Sequence, residues 1–104
     1  MKNAERDKLR RICDEHEWKA TEDAPGSWTF ETWSDLGEDF IVSATGDTLS
    51  ELAHDLHEYW MDFDPEEHAT ACYNDPTAPH NLRALLKDAD EMADRIEKLF
   101  LALV

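Results

Sequence analysis

The sequence predicts an α+β domain, a small antiparallel β-hairpin or sheet packed against three to four α-helices, the last of them long. Three observations lead there. Trp28 to Trp33 and Phe40 to Ala44 are rich in aromatic and β-branched residues and flank a polar connection, which reads as paired strands. Apolar residues recur at helical spacing before and after that pair, and from Leu82 to Leu103 they do so without a break. The 104 residues, 41% of them hydrophobic, suffice for one compact core, so residues 1–104 read as one acidic domain.

The first helix is placed over Ala4 to His16, where Leu9, Ile12, Cys13 and His16 share a face and charged residues of both signs occupy the other. Trp18-Lys19-Ala20 is a candidate edge strand, followed by a turn at Ala24-Pro25-Gly26-Ser27. Within the hairpin, alternation puts Trp28 and Phe30 on one side and Glu31 and Trp33 on the other. Trp33 is therefore a candidate exposed aromatic. Thr48 and Glu51 have the spacing of a capping box, in which each side chain satisfies the other residue's backbone N–H. They open a second helix with the apolar stripe Leu49, Leu52, Ala53, Leu56, Trp60 and Phe63. Asp64-Pro65-Glu66-Glu67 starts a third, expected to run to about Tyr73 and to stop in Asn74-Asp75-Pro76-Thr77-Ala78-Pro79. The final helix, roughly 35 Å long from Asn81 at 1.5 Å per residue, is the expected spine of the core.

Charge is the most informative feature. The formal net charge is −15, from 25 carboxylates against 10 Lys and Arg, which disfavours binding to phosphate backbones or anionic membranes. No Lys or Arg occurs between Ala20 and Leu82, a stretch that holds fifteen carboxylates, whereas the two ends balance ten acids with ten bases. The net charge therefore belongs to the middle of the chain. There, Glu51, Asp55, Glu58 and Asp62 line one helix face at spacings of four, three and four. A solvated surface is the ordinary meaning of such a run. A halophilic surface would deplete Lys along the whole chain, and here the ends keep theirs.

Candidate chemistry is sparse. Gly26, Gly37 and Gly46 are scattered, so no phosphate-cradling loop or dinucleotide fingerprint is present. Cys13 and His16, His54 and His57, and His68 and Cys72 lie three or four apart, but none matches an established zinc pattern. His54 and Glu58 have the spacing of an acid–base pair and lack a nucleophile or oxyanion donor. The two cysteines are too few for a disulfide framework and read as reduced thiols. No catalytic, cofactor or metal residue is assigned, and an enzyme is not expected. The chain has no apolar run long enough to span a bilayer and no apolar stretch of a signal peptide in its first residues, so a cytoplasmic protein is expected.

Leu36-Gly37-Glu38-Asp39-Phe40, Phe63-Asp64-Pro65-Glu66-Glu67-His68 and the Leu82 to Leu103 helix with Leu85-Leu86-Lys87-Asp88-Ala89 resemble an uncharacterised family of small acidic proteins of bacterial phages and mobile elements. The likeness spans about two thirds of the chain and implies no activity. Ala69-Thr70-Ala71-Cys72-Tyr73 departs from the more aliphatic, Trp-containing helix usual in that family, and residues 1–27 match poorly. More generally, size and charge are similar to those of anti-CRISPR and antirestriction proteins that mimic DNA. That likeness implies an inhibitor occupying the nucleic-acid cleft of a bacterial defence nuclease, a Cas9-type CRISPR effector or a restriction enzyme. The surface expected to bind such a basic partner comprises Asp35, Glu38, Asp39, Glu51, Asp55, Glu58, Asp62, Glu66 and Glu67, with Trp33 as an aromatic anchor. The alternative is an acidic interaction or regulatory module without mimicry.

Overall fold

The chain begins with a helix, α1 (Asn3–Glu15), that buries Leu9, Ile12 and Cys13 and then reverses sharply. Glu17 takes φ 62° in that reversal, an uncommon left-handed conformation for a non-glycine residue, and Trp18 N–H closes it on the Cys13 carbonyl at 2.8 Å. Three antiparallel strands come next, β1 (Lys19–Ala24), β2 (Ser27–Trp33) and β3 (Asp39–Thr45), in spatial order β1-β2-β3. They lead into α2 (Leu49–Asp62), α3 (Pro65–Tyr73) and α4 (Leu82–Ala102). This computed structural model describes residues 1–75 and 80–104. The expected stop at Pro76-Thr77-Ala78-Pro79 lies outside the described residues.

The sheet is larger than the hairpin alone. The candidate edge strand at Lys19 runs on to Ala24 and pairs with β2, Lys19 opposite Glu31 and Thr21 opposite Thr29, with a bulge between Glu22 and Ala24. Gly26 turns the chain with φ 78°, and its carbonyl accepts the Gly46 N–H at 2.9 Å. A Cβ on Gly46 would stand 2.8 Å from Leu52 N, so that approach to α2 requires glycine.

Alternation works as expected: Trp28, Phe30, Thr32, Phe40, Val42 and Ala44 are buried, while Thr29, Glu31, Trp33, Ile41 and Ser43 lie on the opposite face. The buried face joins Leu9, Ile12, Trp18, Leu52, Leu56, Ile96 and Leu99 in the main core. Helix α4 packs along α2 and α3 and touches α1. A second, smaller cluster forms from Ala69, Leu85 and Ala89 with Leu36, Cys72 and Leu86 packed against it, which seats the β2–β3 connection on α3 and α4. The molecule is elongated, 44 × 22 × 22 Å.

Glu5, Arg6 and Arg95 are among the side chains that tie the elements together. Glu5 of α1 accepts the Leu49 N–H at 3.0 Å, satisfying a free donor at the start of α2. Arg6 pairs with Glu22 at 3.1 Å, joining α1 to β1 and holding the Glu22 carboxyl below its ordinary range chiefly through this hydrogen bond. Arg95 of α4 donates to the Trp33 carbonyl at 2.9 Å, to the carbonyls of His16 and Glu17 and to Thr32 Oγ1. Its guanidinium also lies 5.6 Å from the Trp18 ring centroid. Glu5, Arg6 and Arg95 read in sequence as members of solvated mixed-charge faces, and the fold uses them as internal ties.

Candidate partner-binding surface

The structure distributes the expected acidic residues over three places. At the start of α2, Thr48 Oγ1 accepts the Glu51 N–H at 3.1 Å, as a capping box requires. The reciprocal bond differs from expectation: Glu51 Oε2 accepts the N–H of Asp47, one residue before the cap, at 2.7 Å. Asp55 Oδ2 accepts the Thr45 N–H at 2.8 Å. With Asp47, His54 and the Pro25-Gly26 turn, these carboxylates line an open cleft of about 730 Å³. Both Glu51 and Asp55 are thus committed to backbone donors, the second of them joining α2 to the end of β3.

At the far end of α2, the chain turns at Phe63 and starts α3 at once. Asp64 Oδ1 accepts the N–H groups of Glu66 and Glu67 at 3.0 and 3.3 Å, and Pro65 occupies the first turn, as the sequence signal indicates. The corner brings Asp62 and Glu67 to one groove with the Tyr59, Phe63 and His68 rings, enclosing about 380 Å³. Glu66 is exposed beside it.

The third group sits at the β2–β3 connection. Ser34 closes it, its N–H donating to Glu38 O at 2.8 Å and its Oγ accepting the Glu38 N–H at 3.0 Å. Asp35 faces Glu91 of α4 across one cavity, and this approach, through hydrogen bonding to its carboxyl and then burial and adjacent carboxylate charge, raises the Glu91 pKa. Asp88, on the same helix, is only 6% exposed and its Oδ1 has no hydrogen-bond partner. Together Asp35, Asp88 and Glu91 line a cavity of about 260 Å³ that Lys87 also borders. The acids of the connection are therefore continuous with those of α4, where sequence reasoning set the two apart. Asp88 stands three residues after Leu85 and four before Met92, on the apolar stripe of α4, so helical spacing marks its position as buried although its charge argues otherwise.

Trp33 is 60% exposed, as alternation implies. It stands opposite Asp39 in the register, with Ile41, 51% exposed, on the diagonal of the same face. Tyr59 and Trp60 are half-buried against the core.

The His and Cys pairs separate. Cys13 is buried, and burial with the charge of Asp14 pushes its thiol up to about 12. His54 pairs with the exposed Glu58 at 3.1 Å, whereas His57 stacks on Trp60 and meets Phe100 edge-on. Only His68 Nε2 and Cys72 Sγ touch, at 3.8 Å; burial and the charges of Glu38, Asp88 and Asp75 raise the Cys72 pKa, which disfavours the thiolate a metal needs. Among the described residues no group of three His, Cys, Asp or Glu side chains could hold a metal ion. Nor is any helix there long and apolar enough to cross a membrane.

No protein-family model, curated protein or solved structure matches this chain.

Proposed function

We propose that this protein is an inhibitor that binds a basic, nucleic-acid-binding protein through its carboxylate surface, with a bacterial defence nuclease such as a Cas9-type effector as the first target to test. The observation that supports this reading is an excess of uncompensated acid. Among the described residues the ion pairs are Arg6–Glu22 and His54–Glu58, which leaves Asp62, Glu66 and Glu67 facing solvent without a basic neighbour bonded to them. Such a surface repels phosphate and attracts a basic cleft. The 44 Å long axis would occupy about 13 base-pair steps of 3.4 Å each in a duplex channel. A cytoplasmic location is part of this proposal, since the targets act there.

The test is inhibition of DNA cleavage by a Cas9-type effector and by restriction enzymes across a salt series. Inhibition that weakens as salt rises is expected. Glu58→Lys, Asp62→Lys and Glu67→Lys combined should remove it, while Asp90→Lys with Asp94→Lys on α4 should leave most of it. Tight binding of DNA by the protein itself would rule the proposal out.

A further inference from the structure

The groove at the α2–α3 corner has a chemistry that its acids alone do not explain. Its wall is aromatic: the Tyr59 and Phe63 rings are nearly parallel, 20° apart in plane with centroids 6.1 Å apart, and the His68 ring lies 5.4 Å from Phe63. Phe63 is fixed from behind by an edge contact with Phe40 of the core, centroids 5.6 Å apart. The wall is therefore anchored. Burial raises the Tyr59 pKa, so its ring carries a neutral phenol at physiological pH.

The rim is anionic, formed by Asp62 and Glu67, and no Lys or Arg of this chain lines the groove. The last turn of α2 contains no basic residue to complement its carbonyl end, while Asp64 already occupies the opposing donors of α3. Carboxylates exclude an anionic ligand, and they make an aliphatic one costly to bury. Flat rings beside carboxylates suit a cation that has both a face and an edge. A guanidinium stacks on an aromatic ring and donates in a fork to carboxylates, whereas an ammonium offers a compact, strongly hydrated charge.

We propose that this groove seats an arginine side chain of the basic partner, the guanidinium stacked on the Tyr59 ring and paired with Asp62 and Glu67. The inference rests on the reading of the partner as a basic protein, and it names where that partner is anchored. An aromatic-walled seat rimmed by carboxylates concentrates binding energy that a solvated carboxylate surface spreads thinly.

The test uses the full chain and no nuclease. N-acetyl-arginine amide is titrated into the protein at pH 8, where imidazoles are neutral, and followed by NMR at the Tyr59 and Phe63 rings and the Ala71 methyl. Saturable shifts confined to those groups are expected, with N-acetyl-lysine amide binding about tenfold more weakly. Asp62→Asn combined with Glu67→Gln, both exposed and remote from the core, should weaken the arginine amide about tenfold. Tyr59→Ala should abolish the site and Tyr59→Phe retain it. Equal, non-saturating shifts from both amides spread over the acidic surface would overturn the proposal, as would unchanged binding by the Asp62→Asn, Glu67→Gln variant. Arginine binding without inhibition of any nuclease would leave the seat standing and remove the nuclease reading instead.

Discussion

The Asp55 carboxylate accepts the Thr45 N–H at 2.8 Å, so a residue that sequence places in a row of solvated acids also fastens the first turns of α2 to the end of β3. Asp55→Ala leaves that donor without its partner and is expected to cost about 1 kcal/mol, the usual net worth of such a bond near the surface. Urea denaturation measures it directly. Asp62 differs, because its side chain makes no bond to the described residues, and its Asn variant should unfold at the same urea concentration as the parent. An equal loss in both would show that the Thr45 bond does not set the cost, since removing a carboxylate from a row of acids by itself relieves repulsion.

Arg95 gathers the end of β2 and the reversal after α1 onto α4 through the carbonyls of Trp33, His16 and Glu17. Lysine keeps the charge and loses the fork. Arg95→Lys should therefore destabilise the protein by about 2 kcal/mol and alter the near-ultraviolet circular dichroism through Trp18, over which the guanidinium lies. A variant indistinguishable from the parent in both measurements would show that the ties are dispensable.

The approach of Asp35 to Glu91 should make stability depend on pH. Glu91 has its pKa raised in the folded chain, first by the Asp35 hydrogen bond, so the folded state holds that proton more tightly than the unfolded state. Its stabilising contribution is fully present below the ordinary carboxyl value of 4.5 and is lost as pH rises through the raised folded value. Glu22 has the opposite sign: its pKa is lowered by Arg6, and its contribution is present above the ordinary value and fades as pH falls through the lowered one. Melting curves across the mildly acidic range should show Glu91→Gln flattening the Glu91 response, and Glu22→Gln removing the acid-side loss. Because both side chains keep contact with solvent, added salt should shrink the two effects.

Thiol accessibility distinguishes the two cysteines. Cys13 is buried in the main core with its thiol pushed up to about 12, so a thiolate-specific reagent at pH 8 should label it only as fast as the protein unfolds. Cys72, half-buried and touching His68, should react in the native state, though slowly for its raised pKa. Rates read by mass spectrometry with and without urea decide this, and native-state labelling of Cys13 would place it outside the core.

Sequence alone determined the features that periodicity and local chemistry dictate. The helix spans came from apolar recurrence, the sidedness of Trp28, Phe30 and Trp33 from strand alternation, and the starts at Thr48 and Asp64 from side chains that satisfy nearby backbone donors. The concentration of charge in the middle of the chain was equally legible, being a property of composition. β1 was only half visible, because Thr21, Glu22 and Asp23 have little combined strand preference and become a strand by pairing with β2.

Tertiary structure decided how each charge is used. Glu5, Arg6, Asp55 and Arg95 look alike as exposed helix residues until a remote element arrives: Leu49 above Glu5, Glu22 beside Arg6, Thr45 beside Asp55. The groove between Tyr59, Phe63 and Glu67 likewise exists only because the chain corners at Phe63 and Asp64 from α2 into α3, which packs on α4. The physical reason is range. Periodicity and capping act over about four residues, whereas the partners of these side chains are set by packing between elements far apart in the chain.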